Sequence, residues 1–178
     1  MLKLIILTMI KKLFLVMALL GLFSVCNGQE NAEQPATMPQ GKLLRVKYDF
    51  NGMRMAENRD FDLKRSAETG KSEFRFKHSS SEVIIDGVAD SLFTAACRII
   101  EEEHMFEYSS YYGLSPELEK GMLDGFRWSF DAYFENGERI SSSGRHVMPD
   151  GDGLRRIERL LNHAAEAAIN MTLDRHKD

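Results

Sequence analysis

Apolar and polar residues alternate in short runs from Lys42 onward, with the period of two that is typical of β-strands. The first run has apolar side chains on one side, at Leu44, Val46, Tyr48 and Phe50. The same alternation recurs in "FDLKRS" and "SEFRFKH", and the residues "AETGKS" between them have the composition of a hairpin loop. With "SEVIID" as a further short apolar run, the pattern predicts four strands joined by tight turns.

The apolar period changes to that of a helix after Asp86. The predicted helical stripe consists of Val88, Leu92, Ala95, Ala96, Ile99 and Ile100. Asp86 or Asp90 is placed to cap this helix, because aspartate accepts hydrogen bonds from the free amide groups of the first turn. Cys97 lies beside the stripe, and we expect it to pack near the core as a small apolar residue.

A second hairpin and a second helix are predicted in the last third of the chain. The apolar side of the outgoing strand consists of Phe126, Trp128, Phe130 and Ala132. Asn136 and Gly137 supply the positive φ values of a tight turn, and "RISSSGRHV" is the returning strand. Pro149 ends this strand, and "DGDG" caps the final helix. The stripe of that helix consists of Leu154, Ile157, Leu160, Leu161, Ala164, Ala165 and Ala168.

The order of these elements predicts a single two-layer α+β domain over residues 42–172. Adjacent strands joined by short turns pair antiparallel, and two helices with one apolar stripe each can cover only one face of a sheet. We therefore expect an antiparallel sheet with two amphipathic helices packed on one face. Residues 173–178 are predicted to be a polar tail.

The first 28 residues have the organisation of a secretory signal peptide. Two lysines precede an apolar run from Leu13 to Val25, which is shorter than the roughly 20 residues of a membrane-spanning helix. Cleavage after Gly28 places small residues at the positions that a signal peptidase inspects. Residues 29–41, which contain two prolines and no apolar period, are then a flexible leader.

Lipid attachment at Cys26 is the alternative to plain cleavage after Gly28. The sequence "LFSVC" resembles a bacterial lipoprotein box, although Val25 stands where such boxes usually have Gly, Ala or Ser. The first route predicts a periplasmic or extracellular protein, and the second predicts a lipid-anchored envelope protein. Contact with a membrane is expected only through that lipid.

Removal of the signal peptide changes the charge of the chain. It takes away three lysines and no acid, so 20 basic residues remain with 27 acidic residues and the net charge moves from −4 to −7. An acidic chain without a basic block does not favour phosphate backbones, so nucleic acid is not an expected partner. Cys97 is then the one remaining cysteine, which excludes an intrachain disulfide and a structural zinc site. Neither a cofactor nor a metal is expected, because no motif for one is recognised.

The last third of the chain combines a DG-x-x-W strand, an N-G hairpin, a serine-rich return strand ending in S-G, and a following proline. The residues that make up this combination are Asp124, Gly125, Trp128, Asn136, Gly137, Ser143, Gly144 and Pro149. In these features the chain resembles the C-terminal part of a group of small, uncharacterised bacterial proteins, many of them exported. The resemblance implies the same fold and supplies no catalytic residue.

Serine hydrolase chemistry is suggested by Ser141, Ser142 and Ser143, which lie near His146 in the sequence. The motif is incomplete, because the chain has no G-x-S-x-G elbow. A serine-rich strand that faces solvent explains these residues without catalysis.

Metal binding has two partial signatures. Asp150 and Asp152 suggest a calcium loop, but its twelfth position would be Leu161 instead of glutamate, and a helix cap explains both acids. His104 and Glu107 would share a helix face, yet one such pair is at most half of a transition-metal site.

The feature that packing explains least is a group of aromatic residues after the first helix. It consists of Phe106, Tyr108, Tyr111 and Tyr112. Tyrosines on a loop offer rigid amphipathic area to a protein, a peptide or a glycan, but they equally fit a small satellite core under the loop. Tyr108, Tyr111 and Tyr112 are therefore candidate binding residues.

Two functional hypotheses follow from the sequence. The first is an exported, non-enzymatic module of the cell envelope that binds a partner through a sheet face or through the loop 108–112. The second is a small envelope hydrolase or other enzyme with an unrecognised site. An enzyme would have a concave pocket with convergent polar groups, whereas a binding module would have an exposed apolar or aromatic patch. The lack of a catalytic motif favours the first, and a purely structural role is compatible with it.

Overall fold

The structure, a computed structural model, describes residues 37–54, 57–78, 81–120 and 125–175. The predicted signal peptide with Cys26, the leader up to residue 36, Asp124 and residues 176–178 of the predicted tail lie outside these ranges. In chain order the elements are β1 (Leu43–Asn51), β2 (Arg59–Arg65), β3 (Ser72–His78), β4 (Ser81–Asp86), α1 (Asp90–Glu102), a 3-10 turn (Met105–Glu107), β5 (Tyr111–Tyr112), α2 (Pro116–Glu119), β6 (Arg127–Phe134), β7 (Arg139–Arg145) and α3 (Gly153–Arg175).

The seven strands of the described chain form one sheet, in the order β4-β3-β2-β1-β6-β7-β5. Every neighbouring pair is antiparallel except β5 and β7, which run parallel. The first four strands are a meander, and the second hairpin joins the sheet beside β1. The fold is α+β with a mostly antiparallel sheet, which confirms the predicted fold class.

The hydrophobic core lies between one face of the sheet and the helices α1 and α3. The sheet contributes Val46, Tyr48, Phe61, Leu63, Phe74, Phe76, Trp128, Phe130, Ala132, Phe134 and Ile140. The helices contribute Phe93, Ala96, Ile99, Ile100, Leu154, Ile157 and Leu161. Each large apolar side chain that is buried stabilises the fold by roughly 1.5–3 kcal/mol, so this layer is the main stabilising element. The arrangement has two layers, as the sequence predicts.

Arg156 of α3 connects the two long helices. Its guanidinium lies 2.6 Å from the carboxylate of Glu102 and 2.6 Å from that of Glu103, at the C-terminal end of α1. Glu103 also accepts a hydrogen bond from the N–H of Asp152 at 3.3 Å. The carbonyl of Asp152 in turn accepts the first helical bond from the N–H of Arg156 at 2.9 Å. The acidic residues at the end of α1 thus fix the start of α3.

The first helix begins differently from the prediction. Its N-cap is Ala89, which makes no side-chain capping bond. Asp90 is already the first helical residue, and its carboxylate lies 3.2 Å from a guanidinium nitrogen of Arg65. That guanidinium also stacks over the ring of Phe93, 4.0 Å from its centroid. Tertiary contact with β2 therefore takes the place of the predicted aspartate cap, and it holds Phe93, which the predicted stripe omitted, in the core.

The hairpin between β6 and β7 forms at the predicted place with a different turn. Gly137 has a positive φ of 87°, but Asn136 does not. The N–H of Gly137 donates to the carbonyl of Phe134 at 3.0 Å, and the side-chain oxygen of Asn136 accepts from the N–H of Glu138 at 3.0 Å. This is the geometry of a longer turn that ends in a left-handed glycine.

The ordered contacts of the domain include residues on both sides of the long elements. Met38 packs against the core before β1 begins, and α3 continues to Arg175.

In β1 the register against β6 shifts between Leu43 and Arg45, so Leu43 is buried in place of the predicted Leu44. A β-bulge of this kind moves every preceding side chain to the other face of the strand.

Candidate functional site

The predicted tyrosine cluster lies in a segment that crosses from the helices to the edge of the sheet. After α1 ends at Glu102, His104 takes a left-handed conformation with φ 48° and turns the chain into the 3-10 turn. Met105 and Phe106 of this turn are buried in the core. The first aromatic residue of the cluster is therefore withdrawn from solvent.

The serines of β7 hold the tyrosine segment in place. The hydroxyl of Ser142 donates to the carbonyl of Ser109 at 2.6 Å, and the N–H of Ser143 donates to the carbonyl of Ser110 at 3.1 Å. Ser142 is 2% exposed, so the prediction that this strand faces solvent is wrong for that residue. Its buried hydroxyl is satisfied by the loop carbonyl, and the result is the short parallel pairing of Tyr111 with Ser143.

Two of the three candidate tyrosines point inward. Tyr108 is 7% exposed, and its hydroxyl lies against the backbone of Gly153. Burial raises the pKa of Tyr108 to about 12. Tyr112 is half-buried, with its ring centroid 5.8 Å from that of Trp128, and its hydroxyl accepts a hydrogen bond from the N–H of Ser109 at 3.0 Å. Both side chains stabilise the domain.

Tyr111 is the candidate that faces solvent, with 56% of its surface exposed. Its ring lies over Gly113, where a Cβ atom would overlap it. Tyr112 and its partner Gly144 belong to the buried face of the sheet, so Tyr111 and its partner Ser143 belong to the opposite face. The structure thus brings the tyrosine loop and a sheet face, two separate candidates in the sequence, into one surface.

We call this surface the open face, because α1 and α3 pack on the other side of the sheet. Its charged members are Arg45, Lys47, Asp49, Asp60, Asp62, Lys64, Glu73, Arg75, Lys77, Glu82, Asp86, Arg127, Asp131, Arg139 and Arg145. Many of them form ion pairs between neighbouring strands, such as Lys64 with Glu73 at 2.9 Å and Lys77 with Asp60 at 2.7 Å. Charge on the open face is therefore largely compensated within the sheet.

Asp62 is the central acid of this network and is 2% exposed. Arg45 donates two hydrogen bonds to its carboxylate, at 2.7 and 2.8 Å, and Arg75 donates a third at 2.8 Å. Burial alone would raise the pKa of Asp62, but the bonds and charges of the two arginines outweigh burial and lower the pKa. Asp62 is thus a structural anion that holds three strands in register.

In the row of the sheet that begins at Tyr111, small polar side chains come before the charged ones. Ser143 of β7 lies opposite Ser129 of β6, and both belong to the row of the sheet that begins at Tyr111. The hydroxyl of Ser129 lies 3.5 Å from the carboxylate of Asp49 in the next strand. The result is a shallow polar strip beside an exposed aromatic ring.

The serine hydrolase set that the sequence suggests does not assemble. The hydroxyls of residues 141–143 donate to Asp131 and to the carbonyls of residues 109 and 110. His146 has a left-handed backbone with φ 63°, and its ring packs against Gly125. Catalysis of this type requires a hydrogen bond from the nucleophile to its base, and these serines donate to other groups.

The residues of the two partial metal signatures also have other contacts. His104 Nδ1 lies 3.7 Å from Glu107 Oε1, but α1 has ended before them and both side chains are exposed. Asp152 forms ion pairs with Arg155 and Arg159. Among the residues that the structure describes, no group of three His, Cys, Asp or Glu side chains could hold a metal ion.

Cys97 is partly buried against the core, as predicted. Burial, with a smaller effect from the nearby charge of Glu101, raises the pKa of its thiol. Since the thiolate is the reactive form, this environment makes Cys97 a poor nucleophile.

A groove of about 410 Å³ lies beside the hairpin that joins β2 to β3. Its lining combines both signs of charge, and Lys64 and Glu73 within it form an ion pair at 2.9 Å. The hydroxyl of Ser72, also in the lining, donates to the carbonyl of Val88 at 2.8 Å. These contacts hold strand ends together and do not converge on a ligand position.

Comparisons with protein-family models, curated proteins and solved structures found no match for the chain. None of the helices in the described ranges combines the length and apolar character needed to cross a membrane. The candidate site therefore rests on its geometry, in which Tyr111 and the polar strip of the open face are the exposed elements.

Proposed function

We propose that this chain is an exported, non-enzymatic module of the cell envelope that binds a protein, peptide or glycan through the open face around Tyr111. The observation that carries this proposal is the exposure of the Tyr111 ring on the sheet face opposite the helices. Tyrosine offers rigid apolar area and a polar tip, and is common where surfaces bind partners. The hydroxyl oxygens of Ser129 and Ser143 beside it can accept hydrogen bonds from a polar ligand.

Export is supported by the order of basic, apolar and small residues in positions 1–28. The resemblance of the last third of the chain to small bacterial proteins, many of them exported, is a second argument. Cleavage after Gly28 gives a periplasmic or extracellular module, and lipid attachment at Cys26 gives one anchored to a membrane. Either route delivers the binding surface to the envelope.

No observation favours the second hypothesis, a small envelope hydrolase. That activity would need an activated nucleophile next to a base. The serines of β7 donate to Asp131 and to loop carbonyls, and burial raises the pKa of the Cys97 thiol. Binding is therefore the function that the described geometry supports best.

Position-specific photo-crosslinking in the native envelope tests the proposed surface. One variant carries benzoylphenylalanine in place of Tyr111, and the matched control carries it in place of Tyr133. Tyr133 also belongs to the open face, but the guanidinium groups of Arg45 and Arg139 lie over its ring, at 5.8 and 5.0 Å. We expect a discrete adduct from position 111 and a much weaker one from position 133. Equal adducts from both positions, or none from position 111, would contradict the proposal.

A further inference from the structure

Strand β4 is the outermost strand of the sheet at the end farthest from Tyr111. Its six residues pair with β3 in an unbroken register, and no strand of the described chain pairs with its other side. The outer edge of such a strand has a row of backbone N–H and C=O groups that can pair with another extended chain. This edge lies at the opposite end of the open face from the surface proposed above.

The residues whose backbone groups point outward can be identified from the ladder. The N–H of Gly87 donates to the carbonyl of Ser72 at 2.9 Å, so backbone groups of every second residue from Gly87 point toward β3. The intervening residues, Glu82, Ile84 and Asp86, direct their N–H and C=O groups away from the sheet. Their side chains lie on the open face.

The edge has only part of the usual protection against pairing. Natural edge strands are interrupted by bulges or proline, or carry charged side chains, lysine above all. β4 has no bulge, proline or lysine, and its charged residues are the two acids Glu82 and Asp86. Ile84 at its centre is 55% exposed. On the other face, Val83 and Ile85 are only partly buried against the core, and an added strand would cover them. A strand added at the edge of β4 would therefore make apolar contacts on both faces of the sheet.

Charge decides which strand fits. Glu82 and Asp86 flank Ile84 on the open face, and the contact of Glu82 with Arg75 is loose, at 3.6 Å. In a symmetric antiparallel pair of two copies centred on Ile84, each Glu82 would lie opposite an Asp86, and like charges in that position are destabilising. A strand with basic residues at these two positions forms opposite-charge pairs instead.

We infer that the edge of β4 binds an extended segment of a partner protein by strand addition. The segment has apolar side chains opposite residues 83–85 and lysine or arginine opposite Glu82 and Asp86. Backbone hydrogen bonds to the three outward-facing residues supply affinity, and the two acids supply specificity for a basic sequence.

Titration of the processed, ¹⁵N-labelled chain with the synthetic peptide KVIVK tests this inference. The matched control peptide is EVIVE, which keeps the apolar residues and reverses both charges. We expect amide shifts at Glu82, Ile84 and Asp86 with KVIVK, and at least about tenfold weaker binding of EVIVE, as two opposite-charge pairs become like-charge pairs. Absence of shifts on β4, or equal binding of the two peptides, would overturn the inference.

Two variants separate strand addition from loose electrostatic attraction. Ile84→Pro removes an N–H that points outward and leaves the hydrogen bonds between β3 and β4 intact. The variant should therefore fold but no longer bind KVIVK. The double variant Glu82→Lys/Asp86→Lys should reverse the preference and bind EVIVE more tightly than KVIVK. Retention of KVIVK by folded Ile84→Pro, or an unchanged preference in the double variant, would refute strand addition. A concentration-dependent dimer in sedimentation that Ile84→Pro abolishes would assign the edge to a second copy, also against the inference.

Discussion

The indole of Trp128 lies across the backbone of Gly144 on the neighbouring strand, so close that a Cβ atom at position 144 would overlap the ring. Its Nε1 donates to the carbonyl of Val147 at 2.8 Å, which ties the chain after β7 to the same side chain. The glycine at the end of the serine-rich strand is therefore required by the packing of the tryptophan.

Gly144→Ala should destabilise the domain by about 1–3 kcal/mol, because the added methyl group must displace the indole from a filled core. Urea unfolding followed by the fluorescence of Trp128, the one tryptophan of the chain, measures this change. Ser143→Ala is the control, since it removes only a weak contact on the open face and should stay within about 0.5 kcal/mol of wild type. Equal stability of the two variants would mean that the ring has room to move.

Tyr111 and Tyr112 are adjacent but should respond differently to truncation. Tyr112→Ser loses the contact with Trp128 and the bond from the N–H of Ser109, so the free energy of unfolding should fall by about 2–4 kcal/mol. Tyr111→Ser removes an exposed ring and should change it by less than about 0.5 kcal/mol. Thermal unfolding of both variants checks this pair. A larger loss for Tyr111→Ser would count against its placement on the open face.

The network around Asp62 predicts a specific dependence of stability on pH. Burial tends to raise the pKa of Asp62, but its bonds to Arg45 and Arg75 lower it below the unfolded value. Such a carboxyl stabilises the fold above its unfolded pKa near 4, and this contribution disappears as pH falls through the lower, folded pKa. Asp62→Asn should thus cost about 1–3 kcal/mol at neutral pH, and this cost should shrink as the pH falls below about 4.

Denaturant unfolding of wild type and Asp62→Asn at several pH values measures this difference. Asp60→Asn is the control, because Asp60 forms an ion pair with the exposed Lys77, and removal of such an exposed pair should have little effect at any pH. If the difference in the free energy of unfolding between wild type and Asp62→Asn stays constant down to about pH 2, the carboxylate charge does not stabilise the fold.

The proposed export predicts the chemical form of the N-terminus. Cleavage after Gly28 gives a processed chain that begins at Gln29, and Cys26→Ser should then leave its location unchanged. Intact mass measurement of the chain from envelope fractions checks both points. A lipid-modified Cys26 as the N-terminal residue, with release from the membrane in Cys26→Ser, would establish the lipid-anchored alternative.

The faces of the long strands could be predicted from sequence because side-chain alternation is a local property of β-structure. The period alone predicts that Trp128 and Phe130 are on the buried side, and the structure confirms both. The Asn136-Gly137 pair also predicts the position of the turn, although the type of the turn differs.

Contacts between distant residues could not be predicted in this way. Strand β5 has two residues, and its position depends on bonds from Ser142 and Ser143, more than thirty positions later in the chain. Sequence offered no means of distinguishing Tyr111 from Tyr108, since only those tertiary bonds determine which ring is exposed. The burial of Asp62 likewise depends on arginines that reach it only after β1, β2 and β3 are in register.

The position of β1 at the centre of the sheet has a consequence for how the domain assembles. One side of β1 meets β2, which follows it closely in the chain, but the other side meets β6, which is encoded far downstream. Loop closure over such a distance is slow. During synthesis, the backbone groups on the β6 side of β1 therefore stay unpaired until β6 has left the ribosome. A ribosome-bound chain that stops before Arg127 would therefore be an aggregation-prone intermediate with an unpaired strand edge. The pairing of residues 127–134 with β1 completes the sheet.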